Sequence, residues 1–182
     1  MEGHQETTID DDDVTPSNIF IDNILKRLTT RRYEGIYACD NIPARIARLK
    51  YFNIICNLDA LGKSGSHFVA IVGQPKKVIY IDPLGRPCTN RFITKFLRKA
   101  QQNTKKKNNE VEQHPNRNLE WLNVAMQDPM SSFCGYYCLL IILFFERRRH
   151  GIHINFDTDN LMSNDEKCIE YIKQFIHLFQ IK

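Results

Sequence analysis

The stretch "SSFCGYYCLLIILFFERRR", residues 131–149, decides the fold because it contains a nearly all-apolar run headed by a cysteine. The run from Phe133 to Phe145 is about 13 residues long, and Glu146 and the arginines at 147–149 close it. A helix needs about 20 apolar residues to cross a bilayer, so this run is too short to span one. A helix that is apolar on every face is instead buried in a protein core. The stretch therefore predicts a central helix with the other elements packed around it.

Length and composition predict one globular domain. The chain has 182 residues, of which 42% are hydrophobic and 25% are charged, which is enough to bury a sizeable core. It has six cysteines and begins "MEGHQETTIDDDD", without the basic and apolar segments of a secretory signal. We therefore expect reduced thiols and an intracellular setting, with no disulfide framework.

Charge is distributed unevenly along the chain. Residues 1–14 are polar and acidic, which predicts a disordered tail before a domain at 15–182. Between positions 86 and 117 there are nine basic residues and two acidic ones. Residues 101–118 lack apolar periodicity and predict an exposed basic loop. A solvated insertion is the simpler interpretation of this loop, and contact with nucleic acid is the alternative. The candidate nucleic-acid contacts are Lys105, Lys106 and Lys107.

Patterns of apolar residues predict an α+β domain with a small mixed or antiparallel β-sheet packed around the central buried helix. Helices are expected at 15–28, 89–102 and 165–179, and strands at 51–58, 67–73, 77–82 and 119–126. A three-residue separation between the second and third strands predicts a hairpin. Residues 35–49 contain glycine, aspartate and proline, so a turn-rich segment with a brief helix is expected there.

Cys134 is the candidate nucleophile. Ser131 or Ser132 can cap a helix that begins near this cysteine, and the start of a helix favours a negative charge. A thiol at such a position ionises more easily, and the thiolate is the reactive form. Gly135 would let a substrate backbone approach closely. On these facts alone, a buried structural cysteine remains slightly favoured for Cys134 and strongly favoured for Cys138.

A nucleophilic thiol needs a base and a group that orients the base. His67 opens an apolar strand after a Gly/Ser turn, and Asp82 ends the strand predicted to pair with it. A carboxylate beside the imidazole would hold one tautomer and stabilise the protonated ring. A strand-end histidine or an Asp-Pro turn is common by itself, and only the ordered set points to catalysis.

Gln127 completes the candidate set. It closes the predicted strand at 119–126 and precedes Cys134 by seven positions. A loop between them would bring the side-chain amide beside the thiol. Together with the backbone N–H of Cys134, this amide would form an oxyanion hole for acyl transfer.

The sequence predicts no metal site and no cofactor. Cys134 and Cys138 are spaced by one helical turn, but His150 and His153 lie too far along the helix to complete a zinc set. The cysteine spacing also differs from the C-x-x-C redox motif, and there is no Gly-rich phosphate loop.

The order His67, Asp82, Gln127, Cys134 occurs within "HFVAIV", "YIDPLG" and "QDPMSSFCGYYCLL". This combination resembles the adenovirus-type cysteine protease (adenain) family, in the clan that also contains the SUMO-specific proteases. The resemblance covers about residues 33–178 and looks closest to proteases of virophages and Polinton elements. It implies a papain-like catalytic site whose residues occur in the reverse order along the chain, from His to Asp, Gln and Cys.

Residue roles follow from the resemblance. They are Cys134 as nucleophile, His67 as general base and then acid, Asp82 as its orienter and Gln127 as oxyanion donor. The resemblance also implies substrate contact at Gly135 and at Phe68, where the family usually carries tryptophan.

The function implied is a maturation endopeptidase that cleaves capsid or core precursor proteins during particle assembly. We expect a monomer without membrane partners, located at the assembly site in the host cytoplasm or nucleus and in the virion, with DNA contact through 101–118. One alternative is a protease that removes ubiquitin or SUMO from host conjugates. Another is a nucleic-acid-binding accessory protein that keeps the same fold as a scaffold.

Overall fold

The structure is a computed structural model that describes residues 18–29, 32–102, 104–107, 110–113, 117–147 and 153–180. The acidic tail predicted at 1–14 lies outside these residues.

The elements follow the predicted α+β order. The helices are α1 (Asn18–Leu28), α2 (Arg91–Gln102), α3 (Cys134–Arg147) and α4 (Asn164–Gln180). The strands are β1 (Tyr33–Ala38), β2 (Phe52–Asn57), β3 (Phe68–Gly73), β4 (Lys77–Ile81), β5 (Thr104–Lys107), β6 (Glu110–Gln113) and β7 (Asn118–Leu122). Short 3₁₀ turns occur at Ile46–Arg48 and Leu161–Ser163.

Five strands form one mixed sheet in the order β1-β2-β3-β4-β7. The central pairs β2/β3 and β3/β4 are antiparallel, whereas the outer pairs β1/β2 and β4/β7 are parallel. The predicted hairpin between β3 and β4 is confirmed. The α+β class with a small mixed sheet is therefore confirmed as well.

The two faces of the sheet are covered by different helices. On one face, α1, α3 and α4 share an apolar core with Ile55, Ala70 and Val72 of the sheet. On the other face, α2 packs against Phe52 and Ile54. Along each strand alternate residues point to opposite faces, so both faces of β2 and β3 are apolar and buried. The sheet is therefore fixed from both sides.

The central helix predicted from residues 131–149 is α3. Its residues from Tyr136 to Leu143 are buried, and it packs against α1, α4, β2 and β3. Among the described residues, no helix is both long enough and apolar enough to cross a membrane.

Two segments differ from the sequence predictions. Residues 33–38 form an edge strand that overlaps the start of the turn-rich segment expected at 35–49. Gly35, a residue typical of turns, lies at a register shift of this strand with φ +127°. Within the predicted basic loop at 101–118, α2 continues to Gln102, and β5 pairs with β6 as an antiparallel ladder. Backbone pairing does not require an apolar pattern, so the absence of periodicity did not indicate these strands.

Candidate active site

His67 and Asp82 meet at one edge of the β3/β4 hairpin. His67 directly precedes β3 and Asp82 directly follows β4, so antiparallel pairing brings the two residues to the same edge. Nε2 of His67 lies 2.7 Å from Oδ1 of Asp82. The same oxygen accepts the backbone N–H of Leu84 at 2.9 Å. The carboxylate is only 2% exposed, so these bonds replace the water it has lost.

The environment of His67 favours its protonated form. Burial of the imidazole opposes the charge, but hydrogen bonds to Asp82 and Cys134 outweigh burial and raise the pKa of His67 to about 9. Because Nε2 faces Asp82, Nδ1 is the ring nitrogen left for the Cys134 thiol. The site therefore favours a protonated imidazole that contacts both Asp82 and Cys134.

Cys134 is the first residue of α3. Ser131 positions this helix start, because its Oγ accepts the backbone N–H of Phe133 at 3.2 Å. Cys134 is 9% exposed. Cys138 lies one turn deeper and has no exposed surface, and burial raises the pKa of its thiol well above the ordinary value. The two cysteines of the opening motif thus have different environments, with Cys134 at the wall of a cavity and Cys138 in the core.

Gln127 lies in a loop beyond the end of β7 and does not close the strand as predicted. Its Nε2 donates hydrogen bonds to the carbonyl of Ser131 at 2.8 Å and to Ser131 Oγ at 3.4 Å. Its backbone N–H donates to the carbonyl of Pro83 at 3.0 Å. Both hydrogen bonds of this Nε2 therefore go to Ser131, and within the described structure the buried Oε1 has no hydrogen-bond partner. Gln127 therefore links the turn after Asp82, through its backbone, to the entry of α3, through its side chain.

The residues of the predicted site border one cavity of about 730 Å³. His67, Phe68, Asp82, Gln127, Cys134 and Gly135 line it together. The structure thus brings together side chains from four separate segments, which is the convergence that a Cys-His-Asp site requires. The catalytic roles of these residues remain predictions.

The turn at 82–85 joins the acidic residue to the Gln127 loop. Leu84 forms a bridge with Ala125, and the carbonyl of Pro83 accepts the backbone N–H groups of Met126 and Gln127. Gly85 has φ +68°, and a Cβ there would lie 2.6 Å from the backbone nitrogen of Ala125. Only glycine fits this close approach. The sequence signal was the Asp-Pro-x-Gly pattern, which predicts a turn but not its partner.

Asn164 is a buried polar residue that sequence reasoning missed. It begins α4 and is fully buried, and its Nδ2 donates to the carbonyl of Met126 at 2.9 Å and of Asp157 at 2.7 Å. Its Oδ1 accepts the backbone N–H of Asp157 at 2.9 Å. An asparagine at a helix start resembles an ordinary cap, so the sequence carried no sign that it anchors the residue next to Gln127.

The candidate nucleic-acid contacts Lys105, Lys106 and Lys107 lie on β5. Their side chains fall outside the described residues. Among the residues that are described, no cluster of three or more His, Cys, Asp or Glu side chains has an arrangement suited to a metal ion. All six cysteines are free thiols.

Comparison with known proteins gave no match to a family model and no match to a curated protein. Among solved structures, the chain is similar to the ASFV pS273R protease at 22% identity and a TM-score of 0.43. That alignment covers 73% of this chain and 45% of the pS273R chain.

The chain is also similar to the SUMO protease Ulp1 with its catalytic cysteine oxidised to a sulfinic acid. Here the identity is 15% and the TM-score 0.49, over 87% of this chain and 76% of the Ulp1 chain. A second Ulp1 structure, with a sulfenic acid, gives 17% and 0.41 over 74% of this chain and 54% of the other. Because these identities and TM-scores are low, the roles proposed for the site residues rest on the geometry of this chain.

Proposed function

We propose that this protein is a cysteine endopeptidase with Cys134 as its nucleophile. The observation that carries the proposal is the relay of contacts at the cavity wall. His67 shares hydrogen bonds with Cys134 and with Asp82, and the latter contact measures 2.7 Å. A thiol at a helix start, an imidazole and a buried carboxylate form the nucleophile, base and orienter of acyl transfer.

In the proposed reaction the Cys134 thiolate attacks the carbonyl carbon of a peptide bond. The tetrahedral oxyanion receives hydrogen bonds from an N–H of the Gln127 carboxamide and from the backbone N–H of Cys134. Protonated His67 then donates its proton to the leaving amine, which leaves a thioester on Cys134. A water molecule loses a proton to His67 and attacks the thioester, whose C–S bond then breaks; this releases the acid product and regenerates the Cys134 thiolate beside protonated His67.

The carboxylate of Asp82 keeps one role throughout this cycle. It accepts a hydrogen bond from Nε2 of His67 and so holds Nδ1 toward sulfur. The bond from Leu84 keeps the carboxylate itself in place. Asp82 therefore acts by orienting the ring and stabilising its positive charge.

The test is digestion of a proteome-derived peptide library, with new termini identified by mass spectrometry. Wild type should generate defined cuts, and Cys134→Ala should generate none while keeping its thermal unfolding transition. Cys88→Ser is the matched control, because Cys88 is a half-buried thiol outside the residues that line the cavity. Equal cleavage by Cys134→Ala and wild type would refute the proposal.

The substrates that the motif resemblance implies are capsid or core precursors of a virus or virus-like element. We place the activity at the assembly site in the host cell and in the particle, with Lys105–Lys107 as a proposed DNA contact. Co-expression of the protein with candidate precursors, followed by mass spectrometry of the assembled particles, tests this assignment. Cuts that require Cys134 and appear only in assembly precursors would support it.

A further inference from the structure

One wall of the candidate active-site cavity is positively charged. The segment that follows Asp82, residues 83–102, contains no aspartate or glutamate. It does contain five basic residues, all of which are exposed. These are Arg86, Arg91, Lys95, Arg98 and Lys99.

Arg86 is the basic residue of this segment that lines the cavity itself. Among the described residues, the other charged side chains around the cavity are His67 and Asp82, which are paired with each other, and Cys134 in its proposed thiolate form. No ion pair to Arg86 is found within the described part of the chain. Its guanidinium therefore adds a positive charge to the cavity that no neighbouring carboxylate cancels.

The position of Arg86 is fixed by the turn that precedes it. The backbone N–H of Gly85 donates to the carbonyl of Asp82 at 2.8 Å, and Leu84 pairs with Ala125. The backbone from which the Arg86 side chain extends is thus anchored to both Asp82 and the Gln127 loop. A charge held on a fixed backbone can distinguish ligands by where they carry the opposite charge.

The start of α2 extends this positive wall. Asn90 lines the cavity and caps the helix, with its Oδ1 accepting the backbone N–H groups of Phe92 at 2.9 Å and Ile93 at 3.2 Å. The positive end of the helix dipole therefore lies at the cavity, and Arg91 follows directly on the exposed surface. The positive end of the α2 dipole and the basic side chains therefore both favour a negatively charged ligand here.

We propose that the cavity selects polypeptides that carry aspartate or glutamate near the scissile bond, with Arg86 as the specificity-determining residue. This inference rests on the proposed endopeptidase function and names its substrate class. A guanidinium binds a carboxylate through paired charge-assisted hydrogen bonds. Asparagine and glutamine have similar shapes but lack the charge. We expect acidic substrates to be cleaved with about 2- to 5-fold higher kcat/KM than their amide counterparts, as for an exposed ion pair.

The experiment begins with the cut sites of the peptide library described above. A peptide that wild type cuts is then synthesised as a matched pair, with Asp or Glu in one member and Asn or Gln in the other. The ratio of kcat/KM for the two members is measured for wild type, Arg86→Gln and Arg86→Glu. Lys76→Gln is the control, because Lys76 is an exposed cation at the opposite end of the β3/β4 hairpin.

The proposal predicts acidic residues at one or more fixed positions around the cuts of wild type and of Lys76→Gln. The ratio should fall close to one in Arg86→Gln and below one in Arg86→Glu. Cuts without acidic enrichment, or a ratio that Arg86→Gln leaves unchanged, would overturn the substrate class while leaving the peptidase activity intact. Absence of any cleavage that depends on Cys134 would overturn the proposed function, and the substrate class with it.

Discussion

Oδ1 of Asp82 lies 2.7 Å from Nε2 of His67 and also accepts the backbone N–H of Leu84. The first contact fixes the imidazole, and the second fixes the carboxylate through the turn that begins at Asp82. The same turn is hydrogen-bonded to the loop that contains Gln127. One carboxylate therefore ties the proposed base to the proposed oxyanion donor.

The raised pKa of His67 predicts the alkaline limit of activity. The proposed mechanism uses protonated His67, which is present below its pKa of about 9 and is lost above it. We therefore expect kcat/KM to fall as the pH rises through about 9. A pH–rate profile with a matched fluorogenic peptide measures this limit, and activity that stays constant to pH 10.5 would contradict the assignment.

The same group gives a prediction for stability. The pKa of His67 is raised in the folded protein above its ordinary value of 6.5, so protonation favours the folded state. This contribution is fully present below pH 6.5 and is lost as the pH rises through about 9. Denaturant unfolding at pH 6 and pH 10 should show a larger loss for wild type than for His67→Ala. Equal losses would mean that His67 is not stabilised as an imidazolium.

Asp82→Asn should shift the alkaline limit of activity to lower pH. The amide keeps the shape of the carboxylate but removes the charge that favours imidazolium, so the pKa of His67 should fall toward 6.5. The maximal rate should also fall, because an amide can hold the wrong tautomer of the ring. The measurement is the pH–rate profile of the variant beside that of wild type. An unchanged alkaline limit would remove Asp82 from the site.

Gln127→Ala should lower kcat by about 10²- to 10³-fold, the usual effect of removing one oxyanion donor. The loss should appear mainly in kcat, because the bond forms to the transition state rather than to the substrate. Gln127 is also bonded to Ser131, so thermal unfolding must be measured alongside the kinetics. A folded variant with near-normal kcat would show that Gln127 supports the loop only.

Asn164→Ala should reduce both stability and activity. It removes the donor to the carbonyl groups of Met126 and Asp157, which are left without their partner, at a cost of about 1–3 kcal/mol in the free energy of unfolding. Because Met126 adjoins Gln127, kcat should also fall. Asn160→Ala is the control, since Asn160 is exposed in the same segment. Equal effects of the two substitutions would contradict an anchoring role for Asn164.

Gly85→Ala should destabilise the turn between Asp82 and the Gln127 loop. The substitution adds a strained backbone at φ +68° and a contact of 2.6 Å with Ala125. Gly62 has φ +86° but open space around its Cβ position, so Gly62→Ala measures the backbone strain alone. We expect Gly85→Ala to cost more than the roughly 1 kcal/mol of strain alone in denaturant unfolding. A smaller cost than that of Gly62→Ala would show that the turn can move away.

The sequence predicted the parts of the fold that depend on apolar patterning. The central helix α3, the β3/β4 hairpin and the amphipathic α4 each bury a continuous or periodic apolar surface, and each was found near its predicted position. The mixed sheet followed from strand-length apolar runs such as that of β2. These elements are specified by the hydrophobic effect, which is visible in the order of residues.

Features that depend on backbone hydrogen bonds were not visible in this way. The edge strand β1 carries Gly35 at a register shift, and β5 and β6 lack an apolar pattern altogether. The position of Gln127 beyond β7 depends on its bond to Pro83, a residue 44 positions earlier in the chain. Likewise, Arg86 was visible only as part of a basic segment, since its place in the cavity follows from the pairing of Leu84 with Ala125.

The most direct test of the central claim is alkylation of the native protein with iodoacetamide between pH 5 and pH 9, followed by peptide mapping of the six cysteines. The account predicts that Cys134 reacts first at pH 6.5, that His67→Ala abolishes this preference, and that the buried thiols Cys138 and Cys168 stay unmodified. Reaction of the cysteines in order of exposure alone, with the rate at Cys134 unchanged in His67→Ala, would contradict an activated nucleophile at this site.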